Sequence, residues 1–252
     1  MKFTFLTTAG LFLFSCGEAT ENTTPQTFTE KLESAHHKTD FLANDIIQFD
    51  MVLKFRGTER LNGTLILNTS SENGIIREKN GDEIIFKKDK VYYKDRDSLK
   101  AESVRFKAYT WPYFFLYPYK LTDPGTQWED YSNKHLNDDL YLTEKLSFES
   151  GTGDSPDDWY VTYADTSTHL VYSAAYIVTF GASQDEAEED PHAIVYENYK
   201  DVNGIPLSHS WTFWAWRDGQ LTEQLGEAEL SNFSFKAASE VSFVVPDGYA
   251  EI

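Results

Sequence analysis

The sequence has little cysteine, little histidine and a shortage of basic residues. One cysteine and six histidines occur among its 252 residues. A single cysteine excludes an internal disulfide, and so few soft ligands leave little material for a zinc site. Lys and Arg total 22 against 41 Asp and Glu, which gives a formal net charge of −19. Because such a surface repels phosphate backbones, we expect no nucleic acid among the partners.

The sequence also lacks an apolar run long enough to span a membrane. Its most apolar stretch, Phe3 to Phe14, has about a dozen residues, whereas a transmembrane helix needs ~20. Lys2 supplies a positive charge before this stretch, and Ser15 supplies a small residue after it. Residues 1–15 are therefore predicted to be a secretion signal.

The one cysteine directly follows the predicted signal. Leu13-Phe14-Ser15-Cys16 resembles the bacterial lipobox, which implies cleavage before Cys16 and attachment of a diacylglycerol to its thiol. Gly17 stands where related lipoproteins that stay in the inner membrane carry Asp, so the resemblance implies the outer membrane, in a periplasmic or surface-facing position. Residues 16–26 contain no large apolar side chain and are predicted to be a flexible tether. The alternative is an ordinary secretory signal that happens to contain cysteine.

Motifs of catalysis are missing as well. The sequence contains no G-x-S-x-G elbow, no H-E-x-x-H, no G-x-x-x-x-G-K-[ST] and no dinucleotide-binding G-x-G-x-x-G. The acidic segments 151–158 and 185–190, both interpreted as loops, lack the ligand spacing of a calcium-binding loop. We therefore assign no catalytic residue, no metal ligand and no cofactor, and expect a protein that is not an enzyme.

The mature chain is predicted to be mainly β with a few helices. Thr27 and Glu30 fit a capping box, and a helix is expected over 27–40. From residue 47 the apolar period changes to two, as in half-buried antiparallel strands. A second helix is expected over 98–108 with Ser98 as its N-cap, and Asn80-Gly81 suits a type I′ hairpin turn. The segments predicted to supply the strands are 47–55, 61–67, 75–76, 84–86, 91–93, 128–134, 140–148, 159–163, 170–180, 194–199, 205–216 and 225–235.

So many consecutive antiparallel strands must curl. The predicted architecture is a curled antiparallel sheet that forms an open half-barrel, closed by helices and an aromatic loop. No linker or repeat divides residues 27–252, so we expect one domain and a monomer.

Residues 109–119 (YTWPYFFLYPY) are the densest apolar patch of the mature chain. Pro112 and Pro118 are expected to prevent a continuous helix there. The segment is interpreted either as a lid that contacts a ligand over the sheet or as a plug that fills it. A second aromatic group lies on the strand 205–216, where alternation sends Trp211 and Phe213 to one face and Trp214 and Trp216 to the other. The candidate ligand contacts are Trp111, Tyr113, Phe114, Phe115, Tyr117, Trp211 and Phe213.

The histidines give no constellation for chemistry. His209 shares a face with Trp211 and is interpreted as a hydrogen-bonded core imidazole rather than a ligand or base. His36, His37 and His135 are expected to face solvent.

The order of predicted elements resembles the LolA/LolB-like lipoprotein-carrier fold, an open half-barrel closed by helices, up to a final Pro-Asp-Gly at 246–248. More specifically, most of residues 30–240 resemble an uncharacterised family of bacterial lipoproteins of about this length. The resemblance implies a fold and an envelope location, and it implies no catalytic residue. It is carried by 113–125 (YFFLYPYKLTDPG), 151–160 (GTGDSPDDWY), 175–180 (AYIVTF) and 191–196 (PHAIVY).

Three functions remain open from the sequence. The first is a lipid-anchored envelope module that holds an apolar ligand, an acyl chain or a lipoprotein, in the half-barrel. The second is an interaction or structural lipoprotein of the outer membrane that docks a partner through its acidic surface. The third is a periplasmic hydrolase that uses loop carboxylates.

Overall fold

The computed structural model describes residues 25–94 and 99–252. The predicted signal, Cys16 and most of the predicted tether lie outside the described residues, as does Ser98. Within the described part the chain forms fourteen strands, four α-helices and two short 3-10 segments. The helices are α1 Phe28–Ala35, α2 Lys38–Leu42, α3 Ala101–Leu116 and α4 Gln184–Glu189. The strands are β1 Ile46–Phe55, β2 Thr58–Asn68, β3 Asn73–Glu78, β4 Glu83–Lys87, β5 Lys90–Lys94, β6 Thr126–Asp130, β7 Lys134–Leu136, β8 Asp139–Phe148, β9 Tyr160–Ala164, β10 Val171–Tyr176, β11 His192–Val202, β12 Ile205–Arg217, β13 Gln220–Lys236 and β14 Tyr249–Glu251.

The fourteen strands form one antiparallel sheet with two free edges. The order is β14-β5-β4-β3-β2-β1-β13-β12-β11-β10-β9-β8-β6, and β7 pairs with β8 beside this path. The sheet consists of two meanders, β1 to β5 and β6 to β13, which join where β1 pairs with β13. Its edges, β14 and β6, do not pair with each other, so the sheet is open rather than a barrel. The mainly β, antiparallel half-barrel that the sequence predicts is confirmed.

The helix α3 connects the two meanders and lies on the inner face of the sheet. It leaves β5 near one edge and leads to β6 at the other, so the connection has to cross the sheet. Its buried side chains Val104, Ala108, Trp111 and Phe115 recur at helical spacing and join the main core. The same core contains Phe28 and Leu32 of α1 and Phe41 of α2. Three helices and one 3-10 turn therefore cover the inner face.

Two helix predictions require correction. The predicted helix over 27–40 is two helices, because His37 adopts a left-handed conformation with φ of 53°; its capping box from Thr27 to Glu30 is confirmed. The second helix begins at Ala101, after Lys100 as N-cap, and not at Ser98. It also continues through Pro112 to Leu116, so the aromatic segment is mostly helix and not a loop. Pro112 costs roughly 3 kcal/mol in a helix, but each buried aromatic side chain contributes about 1.5–3 kcal/mol, and burial prevails.

Smaller predictions were also wrong. The hairpin between β3 and β4 exists, but only Gly81 of the Asn80-Gly81 pair has a positive φ, so the turn is not type I′. Four residues connect these strands, and in a loop of this length Asn80 does not need the positive φ that a two-residue type I′ loop requires. The acidic segment 185–190 is mostly α4, since Ser183 and Glu186 form a capping box.

The histidine assignments hold only in part. His135 is exposed, as expected, but His36 is 1% exposed because it follows Phe28 and Leu32 on the buried face of α1. Its Nε2 accepts a hydrogen bond from the backbone N–H of Val171 at 3.0 Å. His209 packs on the ring of Phe233, but its Nε2 has no hydrogen-bond partner among the described residues, so the hydrogen-bonded imidazole predicted there was wrong.

The outer face of the sheet carries two smaller apolar clusters. One includes Trp216 and partly buried Trp159, which confirms that β12 is apolar on both faces. The other consists of Ile46, Ile66, Ile75 and Ile85, one from each of β1 to β4. The C-terminal segment 241–249 covers this second cluster before β14 pairs with β5.

Candidate ligand cavity

A cavity of about 610 Å³ lies between α3 and the second meander of the sheet. This volume falls within the range of roughly 300–1,000 Å³ that small-molecule sites occupy. Its walls are α3, the ends of β8 to β10, the loops around Asp123 and Asp154, and part of the first meander: Ser71, Phe86 of β4 and the turn between β4 and β5. Apolar surface predominates in it, and the aromatic residues that line it are Phe86, Phe106, Tyr109, Tyr113, Phe114, Phe148, Tyr160, Tyr176 and Phe180.

Helical spacing explains how α3 serves both the core and the cavity. Arg105, Tyr109, Pro112, Tyr113 and Leu116 recur at i, i+4, i+7, i+8 and i+11 and line the cavity together. The neighbouring stripe, with Trp111 and Phe115, packs into the core. Helix α3 therefore has two apolar faces rather than one. The first packs into the core and the second faces the cavity.

Two of the seven predicted ligand contacts, Tyr113 and Phe114, line this cavity. The Phe114 ring lies 4.9 Å from that of Tyr176, and the Tyr113 ring lies 5.6 Å from that of Tyr160, centroid to centroid. Their position fits the interpretation of the aromatic segment as a ligand-contacting surface. A ligand-binding role for them stays a prediction.

The other five predicted contacts are packed in the core. Phe115 lies against Phe49 with ring centroids 4.2 Å apart, and Trp111 lies 6.0 Å from Phe213. The Tyr117 hydroxyl shares a hydrogen bond with the hydroxyl of Thr162. For these residues, together with Trp211, the geometry agrees with the plug interpretation. Their exposed fractions are Trp111 7%, Phe115 6%, Tyr117 1%, Trp211 1% and Phe213 0%.

Two ion pairs lie at the edge of the cavity. Arg105 of α3 contacts both carboxylate oxygens of Asp154, with Nε to Oδ2 at 2.8 Å and Nη2 to Oδ1 at 2.6 Å. Lys120 contacts Asp123 and donates to the hydroxyl of Ser71 at 2.8 Å. Both pairs are partly exposed, so each closes part of the cavity edge with polar groups that solvent can reach.

A tyrosine cluster with one carboxylate lies inside the cavity, and sequence reasoning missed it. Tyr160 of β9 and Tyr176 of β10 are directly paired across the two strands, with ring centroids 5.9 Å apart, and Tyr113 of α3 faces them. Burial holds the pKa of all three hydroxyls above the ordinary tyrosine value, so the rings are neutral. Cross-strand pairing between β9 and β10 was the signal that could have found this pair, but the register cannot be read from alternation alone.

Asp158 precedes β9 and lines the same cavity. Its Oδ1 accepts two hydrogen bonds from Thr179, from the backbone N–H at 2.8 Å and from the hydroxyl at 2.7 Å. Burial raises the pKa of Asp158, and the two bonds from Thr179 oppose that shift. The carboxylate is thus held in one orientation at the tyrosine cluster.

The described residues contain neither a metal-binding cluster nor a membrane-spanning helix. No three residues among His, Cys, Asp and Glu in 25–94 and 99–252 are arranged to hold a metal ion. In the same ranges, no helix has the length and apolar character needed to cross a membrane.

Comparison with known proteins identifies the fold. A LolA superfamily protein from Nitrosomonas europaea superimposes with a TM-score of 0.54 at 11% identity, covering 86% of this chain and 95% of its own. A DUF1329 family protein from Desulfovibrio piger gives 0.44 at 10% identity over 82% of this chain and 92% of its own. An outer membrane lipoprotein-sorting protein domain, as its description reads, from Vibrio parahaemolyticus gives 0.42 at 11% identity over 84% and 94%. No family model matches the sequence, and neither does any curated protein.

The first of these structures confirms the LolA-like fold expected from the order of elements. The closer resemblance, to one family of bacterial lipoproteins, stays a prediction, as do the lipid anchor and the outer-membrane location.

Proposed function

We propose that the protein is a lipid-anchored, non-enzymatic binding module of the cell envelope that holds an acyl chain in the cavity beside α3. The observation that carries this proposal is the cavity itself. It offers about 610 Å³ walled mainly by aromatic and aliphatic side chains, on a LolA-like sheet whose inner face is otherwise filled. An acyl chain suits it because burial of each CH₂ contributes about 0.8 kcal/mol.

The position of the cavity supports an apolar ligand that can enter and leave rather than one that is bound permanently. The cavity lies beside α3, and its lining includes two partly exposed ion pairs, so a chain can enter without unfolding the core. The packed stripe of α3 keeps the helix in place while the cavity stripe meets the ligand. The same arrangement would accept one acyl chain of a lipoprotein.

Anchoring is the second part of the proposal. Residues 1–15 are removed, Cys16 carries the lipid, residues 16–26 act as the tether and residues 27–252 form the single binding domain, a monomer at the outer membrane. Two or three acyl chains hold a protein on a bilayer durably, whereas one binds only marginally. A Cys16→Ser variant should lose incorporation of a labelled fatty acid.

Native mass spectrometry tests the binding function. The full chain with Cys16→Ser is purified, so that any lipid found on it is a ligand and not an anchor. We expect a co-purifying acyl-chain lipid that organic extraction removes. A protein that is empty after gentle purification, and that takes up no added fatty acid or fatty alcohol, would disprove the binding function while leaving the anchor intact.

A further inference from the structure

The cavity contains a polar group that an acyl chain alone does not explain. Asp158 lines it next to Tyr113, Tyr160 and Tyr176, at the end of the cavity formed by β9 and β10. We propose that this cluster binds the cationic amine head of an amphiphile, whose alkyl chain occupies the rest of the cavity. This inference rests on the proposed function and names the class of ligand.

Hydrogen bonding leaves the cluster incompletely satisfied. Thr179 uses Oδ1 of Asp158, and Oδ2 has no hydrogen-bond partner among residues 25–94 and 99–252. Within the same ranges, the hydroxyls of Tyr113, Tyr160 and Tyr176 also have no partner. A protonated amine donates N–H bonds to a carboxylate oxygen and to phenol oxygens. It would therefore supply the hydrogen-bond donors that these four groups lack.

The aromatic rings favour a cation for a second reason. The rings of Tyr113 and Tyr176 each lie within 6 Å of that of Tyr160, and the ring of Phe148 lies 6.1 Å from it, centroid to centroid. A cation within about 6 Å of an aromatic ring centroid is attracted by the ring's negative face, more strongly where water is excluded. An anionic head would meet the Asp158 carboxylate instead, and like charges repel each other.

The other charged residues of the cavity leave the Asp158 charge unbalanced. The Arg105 guanidinium is bound by Asp154, and the Lys120 ammonium by Asp123. Lys88 and Asp89 also line the cavity, in the turn between β4 and β5. The groups that face Asp158 are the three neutral tyrosines, Thr179 and the neighbouring carboxylate of Asp157. A bound ammonium would therefore be the nearest counter-charge.

Three amphiphiles of equal chain length test the inference by isothermal titration calorimetry. They are decylammonium, decanol and decanoate, each below its micelle concentration, added to the full chain with Cys16→Ser at about pH 8, where carboxylates and alkylammonium are both charged. We expect decylammonium to bind about tenfold more tightly than decanol, and decanoate to bind least. Asp158→Asn keeps the acceptor for Thr179 and should remove the preference for the cation.

Asp157→Asn is the matched control. It removes the same charge one residue away, from an exposed side chain, and should leave the preference intact. This control separates the cluster from the general attraction of an acidic protein for cations. If Asp158→Asn does not fold, binding to the parent protein is measured at a series of pH values. The affinity for decylammonium should fall as Asp158 becomes protonated, while the affinity for decanol should stay constant.

The outcomes separate the two proposals. Equal binding of all three probes, or a cation preference that survives Asp158→Asn, would overturn the amine site and leave the acyl-binding function standing. Absence of binding for all three would overturn the acyl-binding function itself. A tenfold preference for the cation that depends on Asp158 and not on Asp157 supports both.

Discussion

The hydroxyl of Tyr196 on β11 donates a hydrogen bond to the backbone carbonyl of Phe114 at 2.9 Å. This carbonyl would normally accept from the residue four positions later in the chain, which is Pro118 and has no N–H. Tyr196 therefore completes the helix end that Pro118 leaves open, and it ties α3 to the middle of the sheet. Both residues are buried.

Tyr196→Phe should lower the free energy of unfolding by about 1–3 kcal/mol, because it leaves a buried carbonyl without a donor. Chemical denaturation measures the change. Tyr109→Phe serves as a control, since it removes a hydroxyl that bonds the Lys88 carbonyl from a partly exposed position, and it should cost less. Equal losses in the two variants would contradict the special role of Tyr196.

The ion pair of Arg105 and Asp154 joins α3 to the loop before β9 at the cavity edge. Asp154→Asn should change the free energy of unfolding by less than about 1 kcal/mol, because partly exposed pairs contribute little. It should nevertheless speed the release of a bound fluorescent fatty alcohol several-fold, as measured by stopped flow. Glu251→Gln breaks the comparable pair with Lys90 outside the cavity and should leave the release rate unchanged. An unaltered rate in Asp154→Asn would show that this pair does not restrain the ligand.

Phe115 and Tyr113 occupy different faces of α3 and should respond differently to substitution. Phe115→Ala removes a ring packed on Phe49 and should lower the free energy of unfolding by about 3–5 kcal/mol. Tyr113→Phe keeps the ring in the cavity and should cost less than about 1 kcal/mol, since it removes a hydroxyl that has no partner in the described residues. Thermal or urea unfolding distinguishes the two. A large loss with Tyr113→Phe would mean that its hydroxyl is structural.

The sequence was sufficient to predict the sheet but not the course of α3. Alternation from Ile47 onward predicts strands because each strand has one face buried on the helices, and that pattern is local. The helix continues through Pro112 because Trp111 packs on Phe213 and Phe114 packs on Tyr176. These partners are distant in sequence, and the packing outweighs the cost of a proline. Local rules assign a proline its penalty and cannot include the packing that offsets it.

The residues that line the cavity could be predicted only in part, because some of them come together through contacts that are distant in sequence. The aromatic segment is visible in the sequence, and two of its members, Tyr113 and Phe114, line the cavity. Tyr160 and Tyr176 join them only through the pairing of β9 with β10, and Asp158 joins through two bonds from Thr179. Such long-range register is fixed by the whole sheet, so no single segment could indicate it.

The C-terminal segment stabilises the outer face of the sheet. Val241, Phe243 and Val245 point to the isoleucine cluster of β1 to β4, whereas Val244 between them is 73% exposed. Phe243→Ala should lower the free energy of unfolding by about 1–3 kcal/mol, while Val244→Ala should change it by less than about 0.5 kcal/mol. Calorimetric or chemical unfolding compares them. Equal effects would mean that the segment does not pack on the sheet.

His36 makes stability depend on pH. Burial lowers its pKa to about 3 from the ordinary value of 6.5, so the folded state keeps the ring neutral where the unfolded state binds a proton. The contribution of neutral His36 to the free energy of unfolding is therefore complete above the unfolded pKa of 6.5. It is lost as pH falls towards 3, by about 1.4 kcal/mol per pH unit. His36→Gln retains an acceptor for the Val171 N–H and should remove this part of the slope, whereas His135→Gln on exposed β7 should not. Urea unfolding at a series of pH values measures the slopes, and a His36→Gln slope equal to that of the parent would show that the imidazole is not the group that titrates.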